Sequence, residues 1–75
     1  MQQHTPTLYV RPDCLLCLLA TRLLQAAGIA HLTADIEEQA ALEQRYGTRI
    51  PVLVRGDGGE LDWPFDAAAL RAFLG

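Results

Sequence analysis

The chain has 75 residues, the size of one small domain, and a domain this short buries only about 60% of the surface of its unfolded chain. Hydrophobic residues make up 51% of the sequence and charged residues 20%, with a net charge of −3, which predicts a soluble globular protein and excludes a disordered chain. The sequence contains no lysine, and its six arginines do not form the basic patch that a phosphate backbone requires, so we expect no nucleic-acid partner.

The sequence shows no segment typical of membrane insertion or export. Its longest uncharged apolar run, Leu15–Ala20, has six residues against the roughly twenty that cross a bilayer. The first residues, Met1–Pro6, offer neither the positive charge nor the apolar stretch of a secretory signal. We therefore expect a cytoplasmic protein with no membrane partner. In that reducing compartment, the spacing of Cys14 and Cys17 is more typical of redox chemistry or metal binding than of a structural disulfide.

Strand and helix patterns alternate along the chain and predict a single domain, residues 1–75, in which residues 1–6 form a loose tail. The predicted elements, in chain order, are a strand at 7–10, a helix at 14–27, a strand at 29–34, a helix at 35–46, strands at 51–54 and 60–63, and a helix at 67–74. A helix between the first two strands makes them parallel, and a tight turn makes the last two antiparallel. The order βαβαββα therefore predicts an α/β domain around one mixed sheet.

Single residues mark the ends of several elements. Gly28 is typical of a helix end, and Asp66 is predicted to cap the third helix. Asp35, followed three residues later by Glu38, has the spacing of a capping box at the start of the second helix. The glycine-rich segment 56–59 joins two strands and opens no helix, so it predicts a hairpin turn and not a phosphate-binding loop.

Cys14 and Cys17 stand at the start of the first predicted helix, directly after a strand and a break. At about 100° per residue, the polar side chains of this helix share a face with Cys14, whereas Cys17 lies at the border of the opposite face. We therefore expect Cys14 to be exposed and able to attack a disulfide, and Cys17 to be shielded and able to resolve the product. The predicted core face consists of Leu16, Leu19, Ala20, Leu23, Ala26 and Ala27.

A helix N-terminus favours the thiolate of a cysteine placed there, because its unpaired N–H groups and dipole supply about half a positive charge. The thiolate is the nucleophile of thiol–disulfide exchange, which proceeds through a mixed disulfide. Asp13 acts against this effect, since its carboxylate repels a thiolate and is able to cap the helix itself. Arg11 is the nearest compensating charge, so we expect the thiolate of Cys14 to be only modestly favoured.

Other interpretations of these residues stay open. The cysteines can pack as small hydrophobic residues without chemistry, in a binding module that uses a surface of Leu18, Pro51 and Trp63. They can also bind zinc, but that site needs two more ligands, for example from a second copy of the chain. For Pro51, a cis peptide bond occurs in about 5–6% of cases, so the residues alone favour a trans proline that opens an edge strand.

The spacing of several motifs resembles that of glutaredoxins: Tyr9 and the C-x-x-C pair, the segment 49–52, the hairpin and the capped last helix. The similarity is greatest to short bacterial glutaredoxin-like proteins that carry a Trp-Pro-Phe-Asp segment, here 63–66. It implies a thioredoxin fold with a four-stranded mixed sheet, and Pro51 cis and facing the cysteines. It also implies that the backbone of Ile50 pairs with a substrate by strand addition.

The resemblance implies a thiol–disulfide oxidoreductase in which Cys14 is the nucleophile and Cys17 resolves. Its substrates would be protein or glutathione mixed disulfides, with Arg11, Ile50, Pro51 and Asp66 in substrate binding. We expect a monomer with no bound cofactor and no metal, and glutathione as a candidate reductant. The chain departs from the glutaredoxin pattern by having Leu15-Leu16 between the cysteines in place of Pro-Tyr. Of the segment that holds glutathione's γ-glutamyl end in glutaredoxins, only the aspartate, Asp66, is matched.

Overall fold

A computed structural model describes residues 5–75, so residues 1–4 of the predicted tail lie outside the described residues. The elements are β1 (Thr7–Val10), α1 (Leu15–Ala26), β2 (Leu32–Asp35), a 3-10 turn (Ile36–Glu38), α2 (Ala40–Tyr46), β3 (Val52–Val54), β4 (Glu60–Asp62) and α3 (Ala67–Leu74). Their order is the one that the sequence predicts.

The four strands form one mixed sheet in the order β2-β1-β3-β4. β1 is parallel to β2 and antiparallel to β3, and β3 is antiparallel to β4. The predicted α/β architecture is therefore confirmed. β3 lies inside the sheet, so the expectation that Pro51 opens an edge strand was wrong.

Alternate residues of the central strands are buried in two separate hydrophobic cores, one on each face of the sheet. Leu8 pairs with Leu53 and Leu53 with Leu61, so one row of leucines crosses three strands on one face of the sheet. That face packs on α1 and α3, whose buried residues include Ala20, Leu24 and Leu70. The opposite face packs on the 3-10 turn and α2 through Val52, Ile36 and Tyr46. The result is a three-layer domain with the sheet in the middle.

The chain leaves α1 in a way that shortens the predicted second strand. The N–H of Ile29 donates to the carbonyl of Leu24 (2.9 Å) and the N–H of Gly28 to that of Gln25 (3.0 Å), the pattern of a Schellman motif. Gly28 has a φ of 71°, the left-handed value that this helix end requires. Because residue 29 completes the helix end, β2 begins at Leu32 and not at Ile29.

The predicted second helix is divided in two. Asp35 is the last residue of β2, and its side chain accepts a hydrogen bond from the N–H of Glu37 (2.8 Å) at the start of the 3-10 turn. Gln39 then adopts extended backbone (φ −143°), and α2 starts only at Ala40. The predicted capping box with Glu38 was wrong, because the side chain of Asp35 caps a single 3-10 turn and not a continuous helix.

The orientation of α1 also differs from the prediction. Its buried residues are Cys17, Ala20 and Leu24, whereas Leu16 and Leu19 are 46% and 43% exposed. The predicted core face was therefore wrong by about a quarter of a turn. Leucines occupy both sides of this helix, so its own periodicity does not distinguish the face that packs on the sheet.

Candidate functional site

The register of the sheet brings the conspicuous residues of the sequence to one end of the molecule. β1 runs out at Val10 beside the start of β3, since Tyr9 pairs with Val52. The C-x-x-C segment follows β1, and Pro51 precedes β3, so both lie at this end. The end of β4 joins them there, because the N–H of Trp63 donates to the carbonyl of Pro51 (3.1 Å).

Cys14 is the N-cap residue of α1. Its Sγ accepts a hydrogen bond from the N–H of Cys17 (3.1 Å), and its carbonyl accepts one from the N–H of Leu18 (3.1 Å). The sulfur therefore occupies the place where N–H groups at the helix start lack partners inside the helix. Asp13 does not take this place, and has a φ of 58°, a left-handed value that aspartate tolerates better than most residues. The cap that the sequence allowed for Asp13 is therefore not formed, and Cys14 takes that position.

The two cysteines differ in exposure as predicted. Cys17 is only 4% exposed, whereas Cys14 is half-buried. The Sγ atoms of the pair are joined in a disulfide, with the Cα atoms 5.2 Å apart. Cys17 is held from the other side as well, because the hydroxyl of Thr21 donates to its carbonyl (3.0 Å). Cys14 is thus the more exposed residue of the pair, and Cys17 is shielded.

Pro51 and Ile50 lie at the same end of the sheet as the start of α1. The Ile50–Pro51 peptide bond is cis, and Pro51 is buried. The N–H of Ile50 donates to the carbonyl of Tyr46 (3.1 Å), in the turn that follows α2. Because this N–H is already used, a substrate strand that paired with Ile50 would form its hydrogen bond to the carbonyl oxygen of Ile50. A second cis bond, Trp63–Pro64, lies at this same end of the sheet, and no signal in the sequence distinguished it.

Arg11, predicted to bind substrate and to offset the charge of Asp13, is bound to α2. Its guanidinium donates to Glu43 (2.8 Å) and to the carbonyl of Gly47 (3.0 Å), and it lies 3.5 Å from Glu37. These contacts link the loop before Cys14 to the turn that leads to Pro51. The positive charge of Arg11 is balanced within the protein.

A second arginine, missed by the sequence analysis, orders the segment just before Ile50. Arg49 donates to both carboxylate oxygens of Asp62 (2.9 and 2.7 Å) and to Glu60 (2.6 Å). Glu60 also accepts from Arg45 (2.9 Å) and from the hydroxyl of Tyr46 (3.0 Å). The alternation of acidic residues in β4 and the four-residue spacing of the arginines were the signals that could have indicated this network.

This network makes a prediction for acid stability. Hydrogen bonds from Arg49, and then from Arg45, lower the pKa of Glu60 from 4.5 to about 2. A depressed folded-state pKa contributes stability that is present above the unfolded value and is lost as the pH falls from 4.5 towards 2. We expect the urea midpoint to decrease through this window, and to decrease less steeply in Glu60→Gln. If the urea midpoint of the two proteins changed equally with pH between 4.5 and 2, the contribution of Glu60 would be contradicted.

Asp66, the remaining predicted site residue, caps α3. Its Oδ1 accepts a hydrogen bond from the N–H of Ala69 (2.8 Å), as the sequence predicts for a helix cap. An open groove of about 390 Å³ lies beside it, lined by Pro64, Phe65, Asp66 and Ala69. Trp63 packs edge-on against Phe65, with ring centroids 5.1 Å apart, and is half-buried at this corner.

Two further findings concern the other interpretations. Within residues 5–75, no group of three or more His, Cys, Asp and Glu side chains is placed to hold a metal ion. Neither does any helix of that part of the chain have the length and apolarity needed to cross a membrane.

The chain has a thioredoxin-like fold and carries its C-x-x-C pair at a helix start. The family of the Glutaredoxin-like domain (DUF836) matches residues 5–75, and the chain belongs to this family. No curated protein matches the chain.

Several solved structures are similar to the chain over nearly its whole length. The X-ray structure of protein XcR50 from X. campestris is 51% identical, with a TM-score of 0.87, and the match covers 93% of this chain and 95% of that one. Protein Ne2328 from Nitrosomonas europaea is 23% identical, with a TM-score of 0.73 over 100% of this chain and 95% of that one. A mutant of the thioredoxin-like protein BC3987 is 24% identical, with a TM-score of 0.70 over 95% and 100%. The last two similarities support the fold alone.

Proposed function

We propose that the protein is a thiol–disulfide oxidoreductase in which Cys14 attacks and Cys17 resolves. The observation that carries this proposal is the position of Cys14, a half-buried residue whose sulfur caps α1, while the buried Cys17 lies one turn behind it. Backbone N–H groups and the helix dipole favour a negative charge at the first position. The second position is within bonding reach of the first and out of reach of most other molecules.

The reaction transfers two electrons to the substrate. The thiolate of Cys14 attacks one sulfur of a substrate disulfide, so that a mixed disulfide forms, the substrate S–S bond breaks and the released thiolate takes up a proton. Cys17 then loses its proton and attacks the Sγ of Cys14. The mixed disulfide breaks, the second substrate thiol leaves, and the Cys14–Cys17 disulfide is formed.

A low-molecular-weight thiol, with glutathione as the candidate, would complete the cycle. Two thiol molecules reduce the Cys14–Cys17 disulfide and are themselves joined as a disulfide, so the electrons balance. This cycle suits the cytoplasm, where thiol pools keep most cysteines reduced. Protein disulfides and glutathione mixed disulfides are both substrates within this proposal.

The test is a Cys17→Ser variant incubated with a model protein disulfide such as native insulin, whose chains are joined by disulfide bonds. We expect a covalent adduct through Cys14, because the serine cannot resolve the mixed disulfide, and its mass would be measured under non-reducing conditions. The matched Cys14→Ser variant should form at least about tenfold less adduct, since its remaining thiol is shielded.

Two results would contradict the proposal. The first is the absence of an adduct with every disulfide tested, and the second is equal adduct from both variants. A Cys14→Ser protein that still binds a partner as the unmodified protein does, together with no adduct, would favour the binding-module interpretation.

A further inference from the structure

Four leucines surround the redox pair on the outer side of α1. Leu15 is 68% exposed, Leu16 and Leu18 are each 46% exposed, and Leu19 is 43% exposed. These four residues, here named the leucine patch, fall within five consecutive positions of the first turns of the helix. Because residues three and four apart share a helix face, Leu15, Leu18 and Leu19 form a continuous surface.

The core does not account for these leucines. The residues of α1 that belong to the core against the sheet are Ala20 and Leu24, with Leu23 packed beside them, and none of the four leucines is among them. Single exposed leucines are common on protein surfaces, but a contiguous apolar patch beside a reactive group is typical of a binding surface. Arg22 is the one charged residue in the sequence of α1, so the patch carries no charge of its own.

Two arginines near the site are already paired. Arg11 is bound to Glu43 and Gly47, and Arg49 is bound to Asp62 and Glu60. An anionic substrate would have to displace one of these carboxylates. Glutathione carries two carboxylates and one ammonium group, and the chain itself has a net charge of −3. Neither of these two arginines is therefore a free cation for such a substrate, whereas the leucine patch beside Cys14 offers apolar contact.

We propose that the preferred substrates are protein disulfides whose cysteine is flanked by apolar side chains, which pack on the leucine patch while the mixed disulfide is formed. This inference rests on the proposed function. The substrate is the molecule expected to cover the leucine patch, because the patch lies directly beside the reacting sulfur. Leu15 is bonded directly to Cys14, so any chain joined to Cys14 Sγ lies within reach of the patch. Burial of apolar surface then stabilises the mixed disulfide of an apolar substrate and not that of a polar one.

The experiment compares three probes with the reduced protein. Two are peptides with one intramolecular disulfide, identical except that leucine or serine flanks the cysteines, and the third is oxidised glutathione. The rate at which the protein reduces each probe is divided by the rate at which dithiothreitol reduces the same probe. This ratio removes differences in the intrinsic reactivity of the three disulfides. The variant is the double substitution Leu15→Gln and Leu19→Gln, because glutamine is close to leucine in helix propensity. Leu32→Gln, at a leucine 60% exposed on β2, is the matched control.

We expect the leucine-flanked peptide to be reduced at least about tenfold faster than the serine-flanked one, since one well-buried leucine contributes about a factor of ten. The double variant should lose that advantage and change the other two rates less than about twofold, and the control should keep it. Equal rates for the two peptides, or an equal loss on all three probes, would overturn the inference and leave the proposed function standing.

Two other outcomes also overturn it. A dimer of the unsubstituted protein in size-exclusion chromatography that dissociates in the double variant would assign the patch to a second copy of the chain. If none of the probes is reduced and Cys17→Ser forms no adduct, the proposed function fails and the substrate class fails with it. Circular dichroism of each variant checks that the fold is retained.

Discussion

In the reduced protein, iodoacetamide is expected to alkylate Cys14 at least about a hundredfold faster than Cys17. Cys17 is only 4% exposed, so the reagent reaches it only when the start of α1 opens. A local opening of about 3 kcal/mol already slows a reaction about a hundredfold. Cys14 needs no such opening, and the helix N-terminus favours its reactive thiolate. This ratio measures the division of roles on which the proposed reaction depends.

The measurement needs fragment spectra, because no arginine lies between the two cysteines and trypsin leaves both in one peptide. Single-cysteine variants, Cys14→Ser and Cys17→Ser, give the two rates independently. In concentrated urea both thiols should react at similar rates, which serves as the control for intrinsic reactivity. Similar rates in the folded protein would show that Cys17 is not shielded, and the assignment of attacking and resolving cysteines would be wrong.

Leu53→Ala is expected to destabilise the domain by about 2–5 kcal/mol. Leu53 is fully buried in the central strand β3, where it pairs with Leu8 on one side and Leu61 on the other. A chain of this length has a free energy of unfolding of roughly 4–11 kcal/mol at about 0.05–0.15 kcal/mol per residue. The variant should therefore lose a large share of its stability, with a Tm lower by at least about 10 °C.

Thermal and urea unfolding of the variant and the unsubstituted protein give this difference directly. Leu32→Ala is the matched control, because Leu32 is 60% exposed on the edge strand β2 and its truncation should change the stability by less than about 0.5 kcal/mol. Similar losses at Leu53 and Leu32 would contradict the assignment of the row of leucines as the main core.

Most of the fold was predictable because its signals are local. The glycine that ends α1 and the aspartate that caps α3 act on neighbouring residues, and both were predicted correctly. The alternation predicted all four strands, although β2 begins three residues later than expected. The order of elements then restricts the topology of a short chain to few arrangements. The position of Cys14 at a helix start was predictable for the same reason.

The parts that failed depend on contacts between distant segments. The orientation of α1 is decided by the sheet that it packs on, and a helix with leucines on both sides does not contain that information. The pairing of Arg11 with Glu43 spans 32 residues, so no spacing rule indicates it. The exposure of Leu16 and Leu19, from which the substrate preference is inferred, was hidden by this same limit.

The turn after α2 has a consequence for how partners are selected. Arg11 holds the carbonyl of Gly47, Arg49 is fixed to β4, and the N–H of Ile50 is bound to Tyr46. Moving this segment would break its bonds to Arg11 and to β4 together. We therefore expect the turn to keep its position when a substrate binds, so that discrimination falls to the incoming molecule's side chains and not to a closing lid.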